Sequence, residues 1–148
     1  MNQSPVTRKD VDDAFEAYRR ADIDFQNAYE ERNVRGGVYD ASIKSAFEAA
    51  KNCHSLAEMG YEEAKQVLAA CEYDAEVAEK SYDEDNADIK NAADKKQAKL
   101  IAEASMKRAI TLRETANAAE NDLTYFWTSY NHSIKVLKEA TERLSYIY

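Results

Sequence analysis

Residues 40–82 read DASIKSAFEAAKNCHSLAEMGYEEAKQVLAACEYDAEVAEKSY, and two seven-residue rows run through them. Every seventh residue from Ile43 is Ala50, Ala57, Ala64, Cys71 and Ala78; every seventh from Phe47 is His54, Tyr61, Leu68, Ala75 and Tyr82. A row of small residues beside a row of mostly large ones, at alternating spacings of four and three, is a coiled-coil seam. The small row removes the side chains that hold helices apart, so a neighbour can approach to about 8 Å between axes. This stretch is a long helix and the scaffold for the rest.

The same design precedes it. Val11, Tyr18 and Phe25 form a large row and Ala14, Ala21 and Ala28 a small one, within a helix expected over residues 8–33. Thr7 is its N-cap, and Asp10 three residues on completes a near capping box. Phe15, Ile23 and Tyr29 widen the apolar stripe, so this helix should touch more than one neighbour. Gly36-Gly37 is the clearest break in the chain, and so short a connection makes the flanking helices antiparallel. Asp40 or Ser42 is then the cap of the second helix, expected over residues 40–83.

Gly60 lies mid-helix, where glycine costs about 1 kcal/mol relative to alanine, in a column with Ala46, Cys53 and Val67. Close backbone approach of another element is the simplest reason for it, and a bend is the alternative. Cys53 and Cys71 stand 18 residues apart on the same helix. That is about 27 Å, far beyond the roughly 7 Å Cα separation of a disulfide, so both read as small packing residues.

The third segment is expected over residues 88–147. A thin stripe of Ile89, Ala93, Leu100, Ile101 and Ala104 is followed, out of phase, by a stronger one from Leu112 through Ala116, Ala119, Leu123, Phe126, Tyr130, Ile134, Leu137, Ala140, Leu144 and Ile147. The phase change implies a stutter, or a break near residues 117–122. The expected fold is therefore all-α: one domain spanning 1–148, an elongated antiparallel bundle of three long helices, or four if the last breaks, with alanine-rich coiled-coil packing.

The net charge of −8 is unevenly placed. Between residues 72 and 88 eight carboxylates face Lys80 alone, and the basic Lys90, Lys95, Lys96, Lys99, Lys107, Arg108 and Arg113 follow. If the chain reverses between the blocks, the acids of 72–83 face the lysines of 90–99. No basic stripe of the nucleic-acid-binding kind crosses the chain, so no direct nucleic-acid binding is expected. With no apolar run near about 18 residues and no signal-peptide core at the N-terminus, the expectation is a cytoplasmic protein without a membrane span.

Enzyme motifs are absent: there is no phosphate-binding glycine loop, dinucleotide fingerprint, His-Glu-x-x-His or paired CxxC. Lys51 and Ser129 stand where the glutamates of Glu-x-x-His metal-ligand pairs would be needed. His54 and Glu58 share a helix face, but two ligands fall short of a metal site, and His54 reads as a packing histidine. No cofactor is expected.

Two places could bind a partner. Tyr125, Phe126, Trp127, Tyr130 and His132 spread aromatic rings around one helix, more than a single seam can bury, and Tyr125, Trp127 and His132 lie off the seam centre. The acids Asp83, Glu84, Asp85 and Asp88 cluster where the second helix should end. The expected function is non-enzymatic: a helical module that binds a partner protein or assembles with itself. The alternative is an acidic inhibitor of a nucleic-acid-binding machine, its carboxylates imitating a phosphate backbone as a viral counter-defence protein would.

Overall fold

The computed structural model of the chain describes residues 5–30 and 36–146, and of residues 36–38 the backbone only. The described residues form three long helices, α1 (Arg8–Glu30), α2 (Gly36–Asp88) and α3 (Lys95–Ser145), with one turn of 3₁₀ helix at Ile89–Asn91 and no strand. The protein is all-α. Its contacts divide into two compact units, residues 1–63 with 124–148, and residues 64–123.

The first unit holds α1, the first part of α2 and the last part of α3. Phe25 and Tyr39 lie with ring centroids 5.8 Å apart, and the Val6 amide donates to the Glu63 carboxylate at 2.8 Å, so α1 and α2 are antiparallel. Tyr125 bonds the start of α1 and Arg143 bonds Asp22 near its end, so α1 and α3 are parallel. The core is built from Ala14, Tyr18 and Ala21 of α1, Ala46, Ala50 and Cys53 of α2, and Val136 and Ala140 of α3. Small residues dominate, as the close approach of alanine-row helices requires.

All six row residues of α1 are buried: Val11, Tyr18, Phe25, Ala14, Ala21 and Ala28. Thr7 caps the helix as expected. The Asp10 amide donates to Thr7 Oγ1 at 3.1 Å, and the Thr7 amide donates to Asp10 Oδ2 at 2.9 Å. In α2 the small row and the Gly60 column form the buried face, from Ile43 and Ala46 to Ala64, while the large row of Phe47, His54 and Tyr61 is half-buried beside it. Gly60 marks a close approach: a Cβ there would lie 2.5 Å from Cδ1 and Cε1 of Phe126.

Several boundaries differ from expectation. The structure of residues 31–35, the heart of the expected Asn33–Tyr39 connection, lies outside the described residues, but Gly36 and Gly37 open α2 instead of preceding it. Asp40 and Ser42 are thus interior, and the Ser42 hydroxyl donates to the Tyr39 carbonyl at 2.7 Å, bonding within the helix where a cap was expected. At the other end α2 runs to Asp88, and α3 begins at Lys95, not near residue 88. Asp94 caps it, accepting from the Gln97 amide at 3.0 Å. α2 and α3 have 53 and 51 residues, and α3 passes through 117–122 unbroken. The phase change is a shift of the buried stripe instead: Ser133 and Val136 are buried while Ile134 is 42% exposed, because this part of α3 meets α1 as well as α2. Ile147 lies outside the described residues.

The second unit is an antiparallel hairpin of the rest of α2 and the first part of α3. Arg113 donates to Glu79 and Ser105 to Asp85 across it. These pairs set the register. Residues 72–83 of α2 lie at the level of roughly 107–120 of α3, so the acids are level with Lys107, Arg108 and Arg113, and not with the lysines of 90–99. The reversal itself consumes residues 89–94, which moves the basic block past the expected position.

Candidate functional site

Tyr125, Trp127 and His132 belong to the first unit, and Asp83, Glu84, Asp85 and Asp88 to the second. The aromatic segment is largely engaged within its own unit. Tyr125 is half-buried against the first turn of α1. Its one hydroxyl proton is shared between the Arg8 carbonyl, 3.1 Å away, and the Asp12 carboxylate, and the Arg8 guanidinium lies 4.7 Å over its ring. Burial, with the Asp12 carboxylate added, pushes its phenol up to about 12. Phe126 is buried and meets Tyr125 edge-on, 5.1 Å between centroids. Tyr130 stacks between His54 and Tyr61, 5.5 Å from each.

His132 stacks on Phe15 of α1 at 5.0 Å and remains exposed on the wall of an open groove that Asp12, Asp22, Val136 and Glu139 also line. Trp127 is 53% exposed. Of the three aromatic candidates it is the one whose ring meets no other ring or cation at a described contact.

His54 is half-buried, shares a hydrogen bond of 3.2 Å between Nδ1 and the fully buried Ser133 hydroxyl, and has Nε2 3.4 Å from Glu58. These contacts orient the ring as part of the packing. Among the described residues no three histidine, cysteine or acidic side chains group closely enough to hold a metal ion. Cys53 is buried and burial alone raises its thiol to about 11; Cys71 is half-buried. Cys53 is thus the reverse of an activated nucleophile, whose thiol is depressed.

The acidic candidates end α2. Asp85 is half-buried as the acceptor of Ser105, and Asp83, Glu84 and Asp88 are exposed.

The chemistry of the hairpin they belong to is the more informative feature. Every buried residue of 64–123 is an alanine: Ala64, Ala75, Ala78, Ala102, Ala109, Ala116 and Ala119. Seven of its larger apolar side chains are outside, with Val67 53%, Tyr73 67%, Val77 46%, Leu100 54%, Ile101 48%, Met106 40% and Ile110 50% exposed, while Leu68, Tyr82, Ile89, Leu112 and Leu123 are half-buried. A buried methyl gives about a third of the transfer free energy of a leucine side chain, so this hairpin holds little of its hydrophobic potential in its own interior. The expected stripe of Ile89, Ala93, Leu100, Ile101 and Ala104 is not the buried one: Ile89 is half-buried and the other four are exposed. The seam runs instead through Ala102, Ala109 and Ala116, where methyl groups gave the apolar pattern little weight.

Among the described residues no helix is long and apolar enough to cross a membrane. No protein-family model, curated protein or solved structure matches the chain.

Proposed function

We propose that this chain is a non-enzymatic helical module that works by binding protein, either a partner chain or a second copy of itself. One observation carries the reading: residues 64–123 bury alanines and expose seven large apolar side chains. Scattered apolar side chains are ordinary on a surface, but a hairpin that turns out seven of its large residues and fully buries only alanines is suited to being covered. A protein is the fitting occupant. The carboxylates along α2 beside these side chains would repel a nucleic-acid backbone, and helical faces with exposed Val, Leu and Ile match the anchors of helix-to-helix recognition.

The test is capture of binding proteins by the intact chain, compared with a Val77→Lys, Ile101→Lys variant, with cross-links read by mass spectrometry. The reading expects a stoichiometric protein, or the chain itself, held by the native surface and lost with the two lysines. Identical captures from both, or cross-links confined to single molecules, overturn it.

A further inference from the structure

The hairpin carries opposite charges on its two helices. Over residues 64–88 eight carboxylates stand against Lys65 and Lys80, and over residues 95–113 six basic side chains stand against Glu103. Within the hairpin Glu79 meets Arg113. A surface with one acidic and one basic helix is complementary to a second copy of itself under a two-fold axis, because each helix then meets its opposite.

The helical positions of Val67, Ala70 and Val77 on α2, and of Ile101, Ala104 and Arg108 on α3, place them on the side of the hairpin where Ser105 meets Asp85. There a shallow cleft is lined by Val77, Ala78, Ser81, Ser105 and Arg108. Met106 lies on the other side, against Lys99 and Tyr82. We infer, extending the interaction reading above, that two copies of the chain pack hairpin on hairpin through the Val77–Ile101 side, α2 of each lying on α3 of the other.

A two-fold axis along the helices keeps residues at one level, and the level is fixed by the pairs Asp85–Ser105 and Glu79–Arg113. It sets Glu84 of one copy opposite Lys107 of the other and Val77 opposite the small Thr111 and Thr115. The exposed apolar side chains Val67 and Val77 thus stand at the far end and middle of the face, and Ile101 with the Glu84–Lys107 pairing toward the reversal. The area suffices. A face of about 37 Å by about 19 Å presents roughly 700 Å² per copy, within the range of stable specific interfaces.

Sedimentation equilibrium of the intact chain from 1 to about 200 μM, in low salt, tests this. One variant reverses acids (Glu84→Lys with Asp88→Lys) and another reverses bases (Lys107→Glu with Arg108→Glu), all on exposed side chains. The native chain should sediment as a dimer. Each variant alone should dissociate at least tenfold more readily with unchanged helix content, and the equimolar mixture should recover the native affinity as a heterodimer. A native chain that stays monomeric throughout, or a mixture no tighter than its components, overturns the inference. Those outcomes leave the broader interaction reading to the capture experiment, which can succeed with a different partner.

Discussion

Phe126 of α3 occupies the space that a side chain at Gly60 of α2 would need, with two ring carbons 2.5 Å from the position of the missing Cβ. Elsewhere in an exposed helix, replacing glycine by alanine gains up to about 1 kcal/mol. Here Gly60→Ala should instead destabilise the first unit by about 1–3 kcal/mol, because the ring is buried and has nowhere to retreat. Combining it with Phe126→Leu should recover part of the loss. Urea unfolding of the four chains in this double-mutant cycle measures the coupling, and additive effects would show that the ring is not what holds Gly60.

Arg143 should be the most consequential charged residue of the first unit. Its side chain is 14% exposed, its guanidinium lies 4.3 Å over the Phe25 ring, and it bonds Asp22 of α1 and Glu139 of its own helix. Arg143→Ala removes a packed stem and strands a half-buried carboxylate, a loss of about 2–3 kcal/mol. Arg143→Lys should keep the charge but lose the fork and the ring contact, costing about 1 kcal/mol. Thermal melts would check both, and equal stability of Arg143→Lys and the native chain would deny the fork a role.

Alkaline stability should fall in two steps. Cys53 and Tyr125 are raised from their ordinary values of 9.0 and 10.0 to about 11 and about 12, the first by burial and the second by burial and then by Asp12. The folded chain thus binds more protons than the unfolded one at high pH, so their stabilising effect is complete below about pH 9 and is lost as pH rises through the folded values. Urea midpoints measured from pH 7 to 12 should decline throughout the upper range. Cys53→Ala should flatten the first part of the decline and Tyr125→Phe the second.

Trp127 and Phe126 are sequence neighbours with opposite fates. Phe126→Ala empties a buried site and should cost about 3–5 kcal/mol, whereas Trp127→Ala, at a position 53% exposed, should change stability by no more than about 0.5 kcal/mol. The chain has one tryptophan, so its emission reports directly: it should be red-shifted and freely quenched by acrylamide in the folded state. A blue-shifted, shielded emission at micromolar concentration would mean that something already covers the ring.

Much of the fold was legible in the residues, and the failures have physical causes. The rows of α1 and its Thr7 cap could be read because local spacing and local hydrogen bonds fix them. Heptad spacing gives a period but not which of two adjacent rows turns inward, and in α2 the small row did, leaving Tyr61 and His54 at its edge. The start of α3 was readable in Asp94-Lys95-Lys96-Gln97, a capping sequence overshadowed by the loss of apolar pattern before it. The pairing of Tyr125 with Asp12, 113 residues away, left no local trace. Nor could the exposure of Leu100 and Ile101 be read from apolar spacing, because the buried row of their helix runs through Ala102 and Ala109.

The first unit is discontinuous in the chain, made of residues 1–63 and 124–148, while residues 64–123 form the second unit as one uninterrupted piece. The second therefore closes through contacts between helices adjacent in sequence, such as Ser105 with Asp85, 20 residues apart. The first depends on pairs such as Arg143 with Asp22, 121 residues apart. Short loops close at lower entropic cost and faster than long ones. During synthesis from the N-terminus, α1 and the start of α2 must wait for the last two dozen residues before their shared core can form. A truncation of that short C-terminal stretch would thus unmake the opposite end of the chain.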